Sequence, residues 1–176
     1  MTIWSARATT REGQSYSMVD RLESRFHSAI RHWPIVVLRV FTGVFFAWHG
    51  FGKLRRDNFA DGMVGFLQAQ AESSFAFYRP FIDNVVIPNK AVFASLVVWG
   101  ELAVGFAMIL GLATRYAAAA GALLVLNFWF AKGASLLAGT NHDVLWLVVF
   151  VVLGFTPAGR IAGLDDGLSD KLKFLR

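Results

Sequence analysis

The chain of 176 residues contains no cysteine. Its own side chains therefore cannot form disulfides, CxxC redox relays, or thiolate-ligated metal and iron–sulfur sites. Charged residues are also scarce, at 16% of the chain, whereas 56% of the residues are hydrophobic. These proportions lie outside the usual range of a soluble domain, and they predict an integral membrane protein.

The net charge of +5 does not indicate a nucleic-acid partner. The arginines and lysines concentrate in the ends and loops, where membrane proteins normally carry them. The side of the predicted topology that holds both termini has more of them than the other side, which places both termini in the cytoplasm. Residues 1–33 lack the apolar core of a secretory signal, so the spans themselves must set the orientation. We expect a multi-pass membrane protein.

Four apolar blocks predict four transmembrane helices, because each approaches the roughly 20 residues that a helix needs to cross a bilayer core of about 30 Å. The blocks are residues 34–54, 91–111, 115–130 and 143–157. Short connections make the last three helices antiparallel neighbours. The predicted fold class is all-α: an integral membrane four-helix bundle over residues 34–166, preceded by a cytoplasmic interfacial segment, 1–33, and followed by a cytoplasmic basic tail, 167–176.

Two segments outside the spans are amphipathic. Within residues 1–33, apolar side chains recur at helical spacing opposite arginines, which predicts an amphipathic N-terminal helix on the membrane surface or, alternatively, a docking site for a soluble partner. In the long connection between helices 1 and 2, a second interfacial helix is predicted, and the aromatic segment 75–81 follows it. Its apolar positions are Phe59, Met63, Phe66 and Leu67. We expect this connection to form an extracytoplasmic helical cap.

Helix 1 has one polar or small face. On a helical wheel, the polar and small residues lie within an arc of roughly 120°, while the remaining circumference is apolar and suits lipid. The arc comprises Arg39, Thr42, Gly43, Phe46, His49, Gly50 and Lys53. We expect it to face the inside of the bundle.

Helix 2 carries a single carboxylate, Glu101, near its middle. Charged groups at the membrane midplane are costly unless they are paired or hydrated, and they tend to mark function. Arg39 and His49 lie about 6 to 9 Å along helix 1 from that depth, so either side chain can reach the carboxylate. The sequence predicts a buried Arg39–Glu101–His49 network, which is either a functional site or an ion pair that fixes helix register.

Other polar residues have simpler interpretations. Asn127 adds a polar group to helix 3, and Asn141 and Asp143 are expected to cap helix 4. With only His49 and His142 near the outer ends of the spans and no attachment motif, no protein-ligated metal or haem is expected. Trp48 is expected to lie in an aromatic belt or to stack on a quinone ring.

Five short motifs occur together in this order along the chain: Arg39-x3-Gly43, His49-Gly50-x2-Lys53-Leu54, Gly100-Glu101-x3-Gly105, Gly111-Leu112-Ala113-Thr114-Arg115 and Gly159-Arg160-x3-Leu164-Asp165. With them the sequence resembles the DoxX/DoxD-like family of small four-helix bacterial membrane proteins. That family includes the small subunit of a thiosulfate:quinone oxidoreductase and subunits of membrane oxidoreductase complexes. The resemblance implies a site formed by Arg39, His49, Lys53 and Glu101.

Three functions are open at this stage. The first is a quinone-linked oxidoreductase subunit, in which Glu101 and His49 are the catalytic candidates. Arg39, Trp48, His49, Lys53 and Glu101 would bind the quinone, with a hydrogen bond from His49 or Lys53 and a proton relayed by Glu101. A partner subunit would supply the electron donor, and the chain is expected to associate with such a subunit or to form a homo-oligomer. The second is a non-enzymatic scaffold or assembly subunit of a larger membrane complex, and the third is transport of a small anion or lipid.

Overall fold

The computed structural model describes residues 33–139 and 141–169. The chain divides into two compact units, Met1–Pro34 and Ile35–Arg176, and nearly all the described residues belong to the second. The predicted N-terminal surface helix and the predicted basic tail after residue 169 lie outside the described residues.

Every described element is helical, which confirms the all-α class. The elements are α1 (Trp33–Leu54), α2 (Phe59–Ala69), α3 (Arg79–Phe81), a π-helix π1 (Ile82–Val86), α4 (Lys90–Leu110), α5 (Thr114–Lys132), α6 (His142–Phe155), α7 (Ala158–Ile161) and α8 (Leu164–Ser169). The four long helices begin and end within two residues of the predicted blocks. The helix predicted in the first connection is α2.

Within the described part of the chain, α1 and α4 are the two helices that are both long and apolar enough to cross a membrane. They have 22 and 21 residues, which corresponds to more than about 30 Å of helix. The 19 residues of α5 are less apolar than α4. The 14 residues of α6 span only about 21 Å. Length and composition therefore identify two of the four predicted spans.

Helices α1 and α4 pack antiparallel at a distance that only small residues allow. A Cβ atom at Gly105 would lie 2.5 Å from the backbone nitrogen of Ala47, and one at Gly43 would lie 2.7 Å from the carbonyl oxygen of Gly105. Further along the contact, Gly50 faces Leu102. Close backbone approach at small residues is typical of helix pairs in membranes. This register brings the middle of α4 level with the last turn of α1.

The main core lies where the four long helices meet. Phe46 of α1 and Phe150 of α6 are almost fully buried, with their rings edge to face at 4.9 Å. Met108, Ala118 and Leu153 complete the buried centre from α4, α5 and α6. A smaller cluster consists of Leu67, Ile82, Val86 and Ala131, and it fixes α2 and π1 against the end of α5.

Candidate functional site

Lys53 and Glu101 form an ion pair between α1 and α4. The Lys53 ammonium group donates a hydrogen bond to Oε1 of Glu101. Lys53 stands in the last turn of α1 and Glu101 near the middle of α4, and the close glycine contact between the helices sets them side by side. Two of the predicted site residues are therefore in direct contact.

The Glu101 carboxylate is buried and only partly satisfied. The residue is 3% exposed, and its second oxygen, Oε2, accepts no hydrogen bond from any described residue. A carboxylate can accept several hydrogen bonds, or it can take up a proton on a free oxygen. Glu101 thus combines a charged partner on one oxygen with an available oxygen on the other.

The Lys53 ammonium group lies between two aromatic rings. It is 5.4 Å from the ring centroid of Phe128 on α5 and 6.0 Å from that of Phe59 on α2. Both distances fall within the range of cation–π attraction. Since the side chain of Lys53 is 24% exposed and that of Glu101 is 4% exposed, the lysine is the accessible member of the pair.

Lys53 opens onto a cavity of about 620 Å³. The cavity lies between α2 and the 78–86 segment on one side and α4 and α5 on the other. Most of its wall is aromatic or aliphatic, as at Phe66, Phe81 and Leu124. Its polar lining residues are Lys53, Arg56, Asn58, Tyr78, Asn127 and Lys132. Cavities of this size, apolar with a few polar groups, are the usual form of small-molecule sites.

Tyr78 and Asn127 join the two sides of the cavity. The Tyr78 hydroxyl donates a hydrogen bond to Oδ1 of Asn127, while Nδ2 of Asn127 donates to the carbonyl oxygen of Leu123 at 2.6 Å. Burial raises the pKa of the Tyr78 phenol. The aromatic segment predicted as part of a cap thus supplies a polar group to this cavity.

Lys132, at the end of α5, also lines the cavity, and its charge is matched by Asp143. The ammonium group donates to both carboxylate oxygens of Asp143, each at 2.8 Å. Asp143 lies in the first turn of α6 and makes no capping hydrogen bond, so the prediction that it caps this helix is wrong. Asn141 occupies the N-cap position but makes no capping hydrogen bond; its amide donates to the carbonyl of Ser135 at 3.0 Å instead.

The other predicted site residues lie away from the cavity. His49 is exposed, with its ring 4.3 Å from that of Phe45. It is near enough to Glu101 for an electrostatic interaction, yet no hydrogen bond joins these two described side chains. Trp48 is 78% exposed. Neither His49 nor Trp48 lines the cavity, and their role in ligand binding stays a prediction.

Arg39 lies at the opposite end of α1 from Lys53. It is 1% exposed, and its guanidinium group donates to the carbonyl oxygens of Ala158 and Ala162, both at 2.7 Å. The predicted Arg39–Glu101–His49 network is therefore wrong: the two terminal guanidinium nitrogens of Arg39 donate to the segment after α6, and the described partner of Glu101 is Lys53. Arg39 fixes that segment to α1.

Asp165 completes the cluster around Arg39. Its carboxylate oxygens accept the backbone N–H groups of Ala113 at 2.6 Å and of Thr114 at 3.0 Å. These are N–H groups at the start of α5 that the helix itself leaves unpaired. Sequence reasoning missed this capping role, although Asp165 and Thr114 both occur in the motifs singled out above.

One of three comparisons with known proteins found a match. A family model described as DoxX matches residues 35–134. The matched range contains the Lys53–Glu101 pair and every residue that lines the cavity. A search of the curated proteins found no match to the chain, and a search of the solved structures found none.

Proposed function

Because this chain belongs to the DoxX family, we propose that it is a membrane subunit of a quinone-linked oxidoreductase, with its quinone site in the cavity beside Lys53. The membrane location follows from the family and from the two long apolar helices. The observation that carries the proposal is the Lys53–Glu101 pair: a cationic donor at the cavity, backed by a buried carboxylate with one free oxygen.

The proposed topology has four spans, α1, α4, α5 and α6, in the bacterial inner membrane with both termini in the cytoplasm. Each of these helices turns a large apolar side chain outward, as lipid contact requires: Phe41, Trp99, Leu123 and Val148, which are 59%, 62%, 61% and 55% exposed. An exposed apolar surface of this extent is unusual for a soluble monomer. In this topology α2 and the 75–86 segment cap the outer end of the bundle.

The residues of the cavity fit a quinone. The volume of about 620 Å³ lies within the roughly 300 to 1,000 Å³ of ligand sites. Aromatic and aliphatic side chains can cover the two faces of a ring and a prenyl chain, and Lys53 can donate to a carbonyl oxygen. The proposal does not include His49, Trp48 or Arg39 as quinone ligands, because none of them lines the cavity.

The two charged side chains have separate roles. When bound, a quinone supplies an acceptor for electrons and accompanying protons. The Lys53 ammonium group binds and orients the carbonyl oxygen, and Glu101 holds the ammonium group in place through Oε1. The free oxygen of Glu101 can carry the proton that replaces one given up by Lys53. We propose that electrons come from a redox centre on a partner subunit.

A steric test exploits two glycines of α2. Gly62 lines the cavity and Gly65 does not, and a Cβ atom at either position meets nothing within 4 Å. We expect detergent-solubilised wild type and Gly65→Leu to retain menaquinone or ubiquinone added during purification, and Gly62→Leu to lose most of it. Equal retention by the two variants, or no retention by wild type, would contradict the proposed quinone site.

A chemical test separates the roles of the charged pair. We expect Lys53→Met to retain less quinone, because the donor to the carbonyl is gone. We expect Glu101→Gln to keep quinone bound but to slow its reduction by dithionite and to change the pH dependence of that rate. If Glu101→Gln kept its quinone and the reduction rate had the same pH dependence as in wild type, Glu101 would not be part of the proton path.

The same ion pair also supports the scaffold alternative. A Lys53–Glu101 bond that only held α1 against α4 would be needed for stability and for complex assembly, but not for ligand retention. In that case wild type would contain no quinone. Lys53→Met and Glu101→Gln, which lower the unfolding temperature under either function, would then impair complex assembly only. The two tests above therefore distinguish the two functions.

A further inference from the structure

The lining of the cavity is positively charged. Lys53, Arg56 and Lys132 all contribute to it, and the described lining residues include no aspartate or glutamate. The carboxylates that balance two of these cations, Glu101 and Asp143, stand behind the lining. A ligand in the cavity therefore meets cations, neutral polar groups and apolar groups, but no carboxylate of the described residues.

Arg56 differs from the two lysines. Lys53 is paired with Glu101, and Lys132 donates to both oxygens of Asp143 at 2.8 Å. The Arg56 side chain has no ion pair within residues 33–139 and 141–169. Among the described residues, Arg56 is therefore the lining cation without an ion-pair partner.

The backbone at Arg56 is fixed by the turn that follows α1. Its backbone N–H donates to the carbonyl of Lys53, and its own carbonyl accepts from the N–H of Phe59, both at 3.1 Å. Asn58 lies beside it in the lining, and its side chain makes no capping hydrogen bond to α2. Arg56 and Asn58 are both exposed, and both line the cavity.

We propose that the ligand of this cavity is an anionic amphiphile, whose ionised oxygen-bearing group is held by Arg56 and Asn58 while its apolar body lies against the aromatic wall. The inference rests on the proposed function for the choice of cavity, and it narrows the ligand class: within the quinones, it favours an ionised hydroxyquinone over a neutral one. The planar fork of the guanidinium group suits two oxygen acceptors.

The test compares three probes by equilibrium dialysis against detergent-solubilised protein. They are neutral naphthoquinone, naphthoquinone with a hydroxyl on the quinone ring, which is ionised at neutral pH, and dodecanoate. The variants are Arg56→Gln, Arg56→Lys and, as a matched control, Arg55→Gln. Arg55 is an exposed neighbouring cation that does not line the cavity.

For wild type we expect the ionised hydroxynaphthoquinone to bind about tenfold more tightly than the neutral ring, as one charge-assisted hydrogen bond would produce. Arg56→Gln should remove that preference and leave binding of the neutral ring unchanged. Arg56→Lys should keep most of the preference because the charge stays, and Arg55→Gln should keep all of it.

The outcomes separate this inference from the proposed function. Equal affinity for the neutral and ionised rings, or equal losses in Arg55→Gln and Arg56→Gln, would overturn the inference while quinone binding stood. Binding of dodecanoate alone, dependent on Arg56, would support the anionic amphiphile and overturn the quinone. If no probe bound, both proposals would be overturned.

Discussion

The ammonium group of Lys53 is hydrogen-bonded to the carboxylate of Glu101, and only the lysine is in contact with the cavity. Removing either residue leaves the other without its partner, but the two remaining side chains differ in their exposure to solvent. Glu101 is buried on all sides, with its side chain 4% exposed, whereas 24% of the Lys53 side chain is exposed. The pair is therefore asymmetric in both stability and function.

This difference in exposure predicts that substituting Lys53 and substituting Glu101 lower the free energy of unfolding by unequal amounts. Lys53→Met leaves a buried carboxylate without its partner and should lower the free energy of unfolding by about 3 kcal/mol. Glu101→Gln keeps an acceptor and leaves an ammonium group with some access to water, so about 1 kcal/mol is expected. Thermal unfolding in matched detergent measures both values.

The double variant supplies the control for this prediction. Lys53→Met combined with Glu101→Gln should be more stable than Lys53→Met alone, because no buried charge is left unpaired. Costs that simply add, or a larger loss in Glu101→Gln than in Lys53→Met, would contradict this description of the pair.

The glycine contact between α1 and α4 predicts a second stability effect. Gly105→Ala would place its Cβ 2.5 Å from the backbone nitrogen of Ala47, and such overpacking typically costs about 1 to 3 kcal/mol. Gly52→Ala is the control, because a Cβ there meets nothing within 4 Å. We expect Gly105→Ala to unfold at lower temperature and to weaken the Lys53–Glu101 contact. Equal stability of the two variants would show that α1 and α4 can move apart at Gly105 without a loss of stability.

The hydrogen bonds of Arg39 predict a local change at the C-terminal segment. Arg39→Gln removes the donors to Ala158 and Ala162, so amide hydrogen exchange over residues 158–165 should become faster, while exchange in α4 changes little. Arg39→Lys should not restore protection, since an ammonium group cannot reach both carbonyls as the guanidinium fork does. Arg55→Gln, at an exposed position, should leave exchange unchanged. If Arg39→Gln left the exchange protection of residues 158–165 unchanged, Arg39 would not be what holds this segment in place.

The raised pKa of Tyr78 predicts a loss of stability in alkali. Because burial raises the pKa of the phenol in the folded state, the folded protein holds this proton more tightly than the unfolded chain does. The contribution is complete below the unfolded pKa of about 10 and is lost as the pH rises through the folded value. Tyr78→Phe should flatten the fall in unfolding temperature above that pH. An identical fall in wild type and Tyr78→Phe would assign the alkaline loss to other groups.

Sequence patterns predicted the long helices and the inward face of α1 well, because both depend on local spacing. Arg39, Thr42, Gly43, Phe46 and Gly50 are all buried, as the wheel predicts. His49 was placed wrongly: it lies at the edge of the predicted arc, next to Phe45, where a small rotation of the helix decides between the interior and the surface.

The partner of Glu101 depended on register along the helix axis. Centring α1 and α4 at one membrane depth puts Arg39 and His49 nearest to Glu101, but the glycine contact shifts the helices so that Lys53 is level with it. A helical wheel gives the direction in which a side chain points, but not the level along the helix axis at which it meets a neighbouring helix. The pairs Lys132–Asp143 and Asp165–Thr114 were also beyond local patterns, since each joins separate helices.

The sequence by itself determined the family, the helical class, the positions of the helices and the charged residues available to a site, because composition, periodicity and short motifs carry that information. The tertiary structure decided which charges meet, that Arg39 serves the C-terminal segment, and that a cavity opens between α2 and the α4–α5 pair. Those results depend on how closely the backbones approach and at what register, which the glycines permit and only the packed chain sets.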